Sequence, residues 1–186
     1  MKIFDKIICI NNIDYTATLQ KIEEKDRQKL RELYSMWRKL CDGMEEFHSR
    51  KINLPEGISE NAFCLEFDSA RVIDVKGGKR SYDTIDLKNN CRQQIKATSI
   101  EYDLTSFGPK SEWDKLYFLD FYRYGNFDHK YDVYEIPNNT IYNSVLNSRK
   151  QETFRDQQKQ GRRPRLGIKS MIIEPHSINP VRTCSI

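Results

Sequence analysis

Residues 81–99, SYDTIDLKNNCRQQIKATS, constrain the fold of this chain more than any other stretch of the sequence. β-Branched and aromatic residues alternate with polar ones in 81–87 and again in 92–99, and an Asn pair interrupts the pattern between them. This alternation is typical of a β-hairpin. Asn tolerates the positive φ angles that a tight two-residue turn requires. We therefore predict two antiparallel strands joined by a turn at Asn89-Asn90.

The length of this turn decides which side chains share a face of the hairpin. A two-residue turn places Asp83 opposite Lys96, and opposed residues point to the same side of a sheet. Asp83, Gln94 and Lys96 would then share one face, and Asp86 would point to the other. A turn longer by one residue would bring Asp86 to the site in place of Asp83. The pattern favours Asp83 and leaves Asp86 as the alternative.

A carboxylate, an amide and a lysine on one sheet face suit the hydrolysis of phosphodiester bonds. Asp83 would bind Mg²⁺, a hard cation that prefers oxygen ligands, and the Gln94 side chain and the Ile95 carbonyl would add further oxygens. Lys96 would hold the attacking water or stabilise negative charge in the transition state. Because Gln94 is neutral, the site has one negative charge fewer than a pair of carboxylates. Glu60, which precedes the hairpin, would restore that charge.

Two helices are predicted before the hairpin. Between about residue 19 and residue 47, apolar residues recur at spacings of three and four, as on one face of a helix. They are Leu30, Leu33, Trp37, Leu40, Met44 and Phe47. This face would pack on its own domain or against a partner subunit. A second helix, with Ser59 as its N-cap and an end near Phe67, would place Glu60 in its first turn, where the helix dipole alone explains a carboxylate.

The remaining pattern predicts further strands and a mixed sheet. Residues 2–16 favour a small hairpin around Asn11-Asn12, and 71–75, 115–122 and 131–136 have strand character. Residues from about 138 to 160 are typical of helix or loop, with three apolar anchors: Ile141, Val145 and Phe154. Sequential strands with helices before and after them predict an α/β (α+β) fold, with a central mixed β-sheet flanked by helices. We expect a single nuclease domain over residues 1–186, with 1–50 as a mainly helical N-terminal extension.

Composition excludes several classes of protein. With 11% aromatic and 31% charged residues, the chain is typical of a globular domain. It contains no apolar run of the roughly 18 residues that a membrane span needs, and no signal-peptide pattern, so an intracellular protein is expected. Five cysteines, an odd number at wide spacings, argue against a zinc site or a disulfide framework. Three scattered histidines argue against a catalytic triad.

Positive charge is concentrated near the end of the chain. Residues 149–169 contain eight basic side chains and two acids, whereas the net charge of the whole chain is only +4. The densest part is the run Gln160-Gly-Arg-Arg-Pro-Arg165. Arginines in such a stretch suit contacts to a phosphate backbone and bidentate contacts to guanine. A solvated basic loop is the alternative interpretation.

Several segments resemble a known family. They are NLPEGISENAFC (53–64), SYDTID with QIKATS (81–99), LTSFGPKSEWDKLYFLDF (104–121), YDVYEIP (131–137) and QGRRPRLGI (160–168). In these segments the chain resembles a bacterial type II restriction endonuclease of the PD-(D/E)XK nuclease superfamily. It is especially similar to the small group of Bacillus enzymes that cut GCNGC. The resemblance covers most of the chain beyond about residue 50.

The resemblance implies metal-dependent cleavage of double-stranded DNA at a short palindromic site, usually by a homodimer. Asp83 takes the acidic position of the first strand, and Gln94-Ile95-Lys96 takes the place of the D/E-x-K tripeptide. The chain departs from the pattern because no Pro precedes Asp83 and because Gln94 replaces an acid. Glu60 matches the acid that many members carry on the preceding helix.

The resemblance also implies partners and further contacts. The candidate DNA-binding residues are Arg162, Arg163, Arg165, Lys110, Ser106 and Ser111. A restriction enzyme of a bacterial cytoplasm would share its cell with a cognate DNA methyltransferase. Two other functions stay open at this point: a sequence-specific DNA-binding protein without catalysis, for which the neutral Gln94 is the main support, and a repair or junction nuclease of the same superfamily.

Overall fold

A computed structural model describes residues 1–49, 52–78 and 81–186 of the chain. Its main feature is an eight-stranded sheet. In spatial order the strands, numbered along the chain, are β1 (Lys2–Ile10), β2 (Ile13–Lys21), β3 (Ser69–Lys76), β4 (Thr84–Asp86), β5 (Arg92–Thr98), β7 (Lys115–Asp120), β8 (Lys130–Ile136) and β12 (Arg182–Ser185). β5 and β7 are parallel, and the other neighbours are antiparallel. The predicted mixed sheet is confirmed.

Helices and short strands surround this sheet. The helices are α1 (Arg27–Glu46), α2 (Glu56–Glu66), α3 (Asn138–Asn143) and α4 (Phe154–Lys159). Two short antiparallel pairs join β6 (Thr105–Ser106) to β11 (Arg165–Leu166) and β9 (Val145–Asn147) to β10 (Glu152–Thr153). In the described part of the chain, no helix has the length and apolar character needed to cross a bilayer.

The N-terminal hairpin is confirmed and is longer than predicted. Asn11 and Asn12 form its turn with φ angles of 52° and 63°, the left-handed conformation that a two-residue hairpin turn requires. β2 continues to Lys21 and pairs with β3, so residues 2–21 extend the central sheet. The helix that was predicted from about residue 19 therefore begins only at Arg27.

α1 buries only part of the face that the apolar pattern predicts, since Leu30 and Trp37 are buried as predicted and Met44 is half-buried. Its buried residues are Leu30, Tyr34, Trp37 and Cys41. Leu33, Leu40 and Phe47 are 40%, 53% and 81% exposed. The hydropathy pattern was wrong for these three because the wide apolar surface of the helix extends beyond the face that its own domain covers. Contact of α1 with a partner subunit stays a prediction.

α2 begins earlier than predicted. It starts at Glu56, directly after Pro55, so Ser59 lies inside the helix and is not its N-cap. Glu60 consequently lies in the second turn, beyond the free backbone N–H groups that make the first turn favourable for an acid. Its side chain is only 8% exposed, so the helix dipole does not account for its position.

The sheet separates two layers of the core. β7 shows this most clearly, since Tyr117 and Leu119 pack towards α1 and α2 whereas Leu116 and Phe118 pack towards α3 and α4. This alternation is the period of two that a strand buried on both faces requires. A third apolar cluster lies where the N-terminal hairpin meets β3 and β4.

Two of the three predicted anchors in the C-terminal part are confirmed. Ile141 and Phe154 are fully buried in the layer that faces Leu116. Val145 is 40% exposed, and its prediction as an anchor is wrong. It lies on β9, whose small two-stranded sheet stands apart from the central one.

Candidate active site

The central hairpin forms, but its turn differs from the prediction. β4 and β5 pair Thr84 with Gln93 and Ile85 with Arg92. The turn therefore contains the four residues 87–90 in place of the predicted Asn pair alone, and the backbone N–H of Asn90 donates to the Asp86 carbonyl across it.

The longer turn changes the pairing of the site residues but not their face. Extending the observed register by one residue places Asp83 opposite Gln94, so the predicted pairing of Asp83 with Lys96 is wrong. The register has moved by two residues, which is one full period of a strand. Asp83, Gln94 and Lys96 therefore still point to the same side of the sheet.

Asp83 lies where β4 and β5 separate. Its backbone N–H donates to the Gln93 carbonyl at 3.0 Å, and this is the last main-chain bond of the pair. Its carboxylate then accepts the backbone N–H of Ile95 at 2.8 Å and the side-chain amide of Gln94. At this edge of β5 the Asp83 carboxylate takes the place of the main-chain acceptor that a neighbouring strand would offer to the Ile95 N–H. The carbonyl of a strand residue lies on the same edge as its N–H, so the Ile95 carbonyl also points to this side.

Asp86, the alternative acid, has a different environment. Its side chain accepts the backbone N–H groups of Lys88 at 2.8 Å and Asn89 at 3.2 Å. An Asp side chain that bonds backbone groups two and three residues later is a common turn-forming contact. The Asp86 carboxylate thus closes the hairpin turn, away from Gln94 and Lys96.

Glu60 approaches the same point from α2. Its side chain accepts a hydrogen bond from the Arg71 guanidinium on β3. Burial raises the pKa of Glu60 to about 7, and the nearby charge of Asp83 adds to this rise while Arg71 opposes it. Two carboxylates from distant parts of the sequence therefore lie close enough to repel each other.

The oxygen donors at this point fit a Mg²⁺ ion. Among the described residues, no group of three or more His, Cys, Asp or Glu side chains forms a metal cluster. Mg²⁺ is commonly held by only one or two carboxylates together with waters. Asp83 and Glu60 supply two carboxylates, and the Ile95 carbonyl and the Gln94 amide oxygen are neutral donors beside them. A cation would also relieve the repulsion that raises the pKa of Glu60.

Lys96 projects into a cleft of about 470 Å³ that Glu60 also lines. Its ammonium group lies 5.4 Å from the centre of the Phe107 ring, a favourable cation–π distance. The lysine therefore lies on β5, one residue after Ile95, and lines the same cleft as Glu60.

The candidate DNA contacts fall in different places. Arg163 and Ser106 line the cleft with Lys96. Arg165 lies opposite Ser106 in the β6–β11 pair, so the basic run and the loop after β5 are joined here. Arg162 forms an ion pair with Glu152 at 2.8 Å.

The two remaining candidates lie outside this cleft. Lys110 lines a separate depression together with Tyr82 and Arg92. The Ser111 carbonyl accepts a hydrogen bond from Gln158 at 3.3 Å, which ties the loop to α4. Their part in DNA binding stays a prediction.

Arg71 was not predicted as a site residue from the sequence. The residue stands in the strand pattern RVIDV, where a charged residue between apolar ones was the available signal. Its partner Glu60 lies on another element, so no local pattern could have paired them.

Comparisons with known proteins show the family of the chain. The family model described as Bsp6I restriction endonuclease matches residues 22–175. The chain belongs to the Bsp6I restriction endonuclease family. It is 33% identical over 162 residues to the type II restriction enzyme Bsp6I from Bacillus sp. (strain RFL6), an alignment that covers 87% of this chain and 88% of the relative. No solved structure matches the chain significantly.

Membership in this family makes the chain a type II restriction endonuclease, a site-specific deoxyribonuclease. The family match ends at residue 175 and begins at residue 22, so it contains α2, the central hairpin and the basic run. Every side chain of the site described above lies inside the matched part.

Proposed function

We propose that this restriction endonuclease hydrolyses double-stranded DNA with Mg²⁺ held at the point where β4 and β5 separate. The observation that supports the proposal is that Glu60, Ile95 and Lys96 line one cleft. Asp83 accepts the backbone N–H of Ile95, and its charge acts on Glu60. Asp83, Glu60 and the Ile95 carbonyl would hold the cation. Mg²⁺ bound there would polarise a phosphate oxygen and neutralise charge that develops on it.

Lys96 would act directly on the reacting groups. Its ammonium would orient the attacking water and stabilise the extra negative charge of the pentacovalent transition state. In-line attack requires that the phosphate be held in one orientation, and the rigid strand that carries Lys96 supports this.

Gln94 has a supporting part in the proposal. Its amide nitrogen donates to Asp83, which orients the carboxylate and leaves the amide oxygen as the remaining ligand atom. A neutral residue at this position reduces the negative charge of the site, and Glu60 compensates for the missing acid.

The DNA would enter along the surface that carries Arg163, Arg165 and Ser106. Arg163 borders the cleft, so its guanidinium can meet a phosphate near the scissile bond. A palindromic site fits a homodimer with two-fold symmetry. The exposed side chains of Leu33, Met36 and Leu40 on the outer surface of α1 offer an apolar surface for such a dimer.

The family resemblance supplies the finer parts of the proposal. The candidate recognition sequence is GCNGC. The reaction would take place in the bacterial cytoplasm, where a cognate methyltransferase protects the host DNA.

The proposal is tested by plasmid cleavage in Mg²⁺. Asp83→Ala and Lys96→Ala should abolish cleavage and still bind the recognition site with Ca²⁺ in place of Mg²⁺. Asp86→Ala is the matched control, since its carboxylate serves the turn, and it should retain cleavage. Sequencing the ends of the wild-type fragments gives the recognition site and the cut position.

Four results would overturn the proposal. Full cleavage by the Asp83 or Lys96 variant would remove these residues from the mechanism. Loss of cleavage only in the Asp86 variant would assign the role of the metal-binding acid to Asp86. Wild-type protein that binds its site but leaves the plasmid intact would favour a DNA-binding protein without catalysis. Cleavage at a DNA structure, such as a junction, would favour a repair nuclease.

A further inference from the structure

Three large side chains stand in solvent in the active-site cleft or in the pocket that adjoins it. Tyr102, Leu104 and Tyr124 are 82%, 68% and 84% exposed. We call these three residues the rim cluster. Tyr102 and Leu104 line the cleft that contains Lys96. Tyr102 and Tyr124 also line an adjoining pocket of about 320 Å³. Exposed apolar surface that continues an active-site cleft is typical of a binding surface.

The structure holds Tyr124 in place although its ring is exposed. Arg123 and Tyr124 have φ angles of 41° and 59°, a left-handed conformation that non-glycine residues rarely adopt. Buried Asp120 accepts the backbone N–H groups of Tyr122 and Arg123, each at 2.9 Å. The Lys169 ammonium lies 2.7 Å from Asp120 and 4.2 Å from the centre of the Tyr124 ring. A strained backbone and a buried ion pair thus orient one exposed ring before any substrate binds.

The charges around the rim cluster indicate what it contacts. Glu101 and Glu174 line the same pocket as the two tyrosines, and carboxylates repel a phosphate. The positive charge of Lys169 is compensated by Asp120. Carboxylates can instead accept hydrogen bonds from the amino groups of bases, and tyrosine rings stack on base faces. The pocket therefore suits nucleobases better than the phosphate backbone.

We propose that Tyr102 and Tyr124 stack on nucleobases of the bound duplex, with Leu104 inserted as an apolar wedge at the same base step. Side chains of this kind partly unstack a step and bend the duplex. This inference rests on the proposed cleavage of DNA in the adjoining cleft. It makes the rim cluster a positioning element that fixes the register of the DNA relative to Lys96.

Binding measurements on ring-deletion variants test the proposal. The probe is the duplex that wild-type protein selects from a randomised pool in Ca²⁺. Tyr102→Ala and Tyr124→Gly should each weaken its binding roughly 5- to 150-fold. Tyr102→Phe and Tyr124→Phe keep the ring and should restore wild-type affinity. The slope of log affinity against log salt should not change, because no phosphate contact is lost.

Three controls separate a lost contact from a damaged fold. Glycine adopts the left-handed conformation of residue 124 without strain, so Tyr124→Gly should melt no lower than wild type. Ile7→Ala removes an exposed apolar side chain of β1 that lies outside the cleft lining, and it should bind normally. 2-Aminopurine at the contacted step should fluoresce more in the wild-type complex than in the Tyr102→Ala complex.

Other outcomes overturn the proposal. Wild-type affinity in both ring deletions would remove the tyrosines from the interface. If the Phe variants bind DNA as weakly as the ring deletions, and the slope of log affinity against log salt falls by about one, the tyrosine hydroxyls contact a phosphate and the rings do not stack on bases. A wild-type protein that selects a duplex but fails to cut it overturns the proposed cleavage and leaves the stacking proposal to be judged on these binding data.

Discussion

Two buried carboxylates of this protein have very different surroundings. The Asp120 side chain is 3% exposed and the Glu60 side chain is 8% exposed, and each contacts a basic residue. Asp120 receives the Lys169 ammonium at 2.7 Å and two backbone N–H groups. Glu60 contacts Arg71 but lies beside a second acid, Asp83, and its pKa is raised to about 7.

The difference shows that burial alone does not identify a catalytic acid. Asp120 has its charge compensated from several sides, and it holds the strained turn that follows β7. Glu60 is placed where its charge is disfavoured unless a cation joins it. An acid whose charge the fold compensates only in part is the better candidate for a functional site.

The largest effect on stability is expected when the compensated acid is removed. Asp120→Asn leaves the Lys169 ammonium, 13% exposed, without its carboxylate, and loss of one partner of a buried pair costs about 3–5 kcal/mol. Urea denaturation measures this change. Asp132→Asn, which breaks the more exposed contact with Arg123 at 3.2 Å, should lose no more than about 1 kcal/mol. Equal losses in the two variants would contradict the distinction.

Removal of Glu60, the partly compensated acid, should have the opposite effect on stability. Glu60→Gln should reduce cleavage roughly 100-fold or more, yet in EDTA at pH 8 it should be more stable than wild type by at most about 3 kcal/mol. The sign follows from the pKa of Glu60, which is about 7 in the fold against a usual value of 4.5. The folded state therefore holds the proton more tightly, and wild type loses stability as pH rises from about 4.5 to about 7.

Thermal melting across this pH range in EDTA checks the prediction. Glu56→Gln, an exposed residue one turn earlier on α2, is the matched control and should change stability little. A Glu60→Gln variant that is less stable than wild type at pH 8 would show that Arg71 compensates the charge fully.

Addition of an acid to the site should have a smaller effect. Gln94→Glu places a second carboxylate against Asp83 and removes the amide donor, at a cost of about 1–3 kcal/mol in EDTA. Mg²⁺ or Ca²⁺ should then raise the melting temperature more than it does in wild type. Gln93→Glu, buried against Thr84 on the other face, should be destabilised without this recovery. Equal recovery in both variants would exclude a cation beside Gln94.

The smallest effect distinguishes two neighbouring arginines. Arg163 borders the cleft, and in the described part of the chain it forms no ion pair, whereas Arg162 is paired with Glu152. Arg163→Ala should lower DNA affinity and reduce the salt slope by about one. Arg162→Ala should change both quantities less. Titrations at several salt concentrations give the slopes, and identical slopes in the two variants would contradict the assignment.

The face of the central hairpin that carries the candidate residues was predictable, but its turn was not. Strand alternation has a period of two, so the prediction for Asp83, Gln94 and Lys96 survived a shift of two residues in the register. The turn was mispredicted because Asp86 bonds the backbone of Lys88 and Asn89. A side chain that competes for backbone groups in this way outweighs the preference of the Asn pair.

Contacts between distant elements account for the other differences. The pairing of Glu60 with Arg71 depends on how α2 crosses β3, which no local pattern contains. The orientation of α1 depends on Tyr34 and Cys41, both buried, whose place in the core follows from the sheet beneath them. Amphipathic periodicity identifies a helix more reliably than it identifies which part of a wide apolar surface is covered.

The N-terminal hairpin determines which strand of the sheet is accessible to other molecules. The family match begins at residue 22, immediately after β2 ends at Lys21, so the hairpin lies outside the matched residues. Without it, β3 would present an open edge that contains Val72, Ile73 and Val75, a surface prone to aggregation. With the hairpin in place, β1 forms the open edge at this end of the sheet. Its charged residues Lys2, Asp5 and Lys6 discourage pairing with another sheet. The hairpin thus acts as a protective cap on the nuclease sheet.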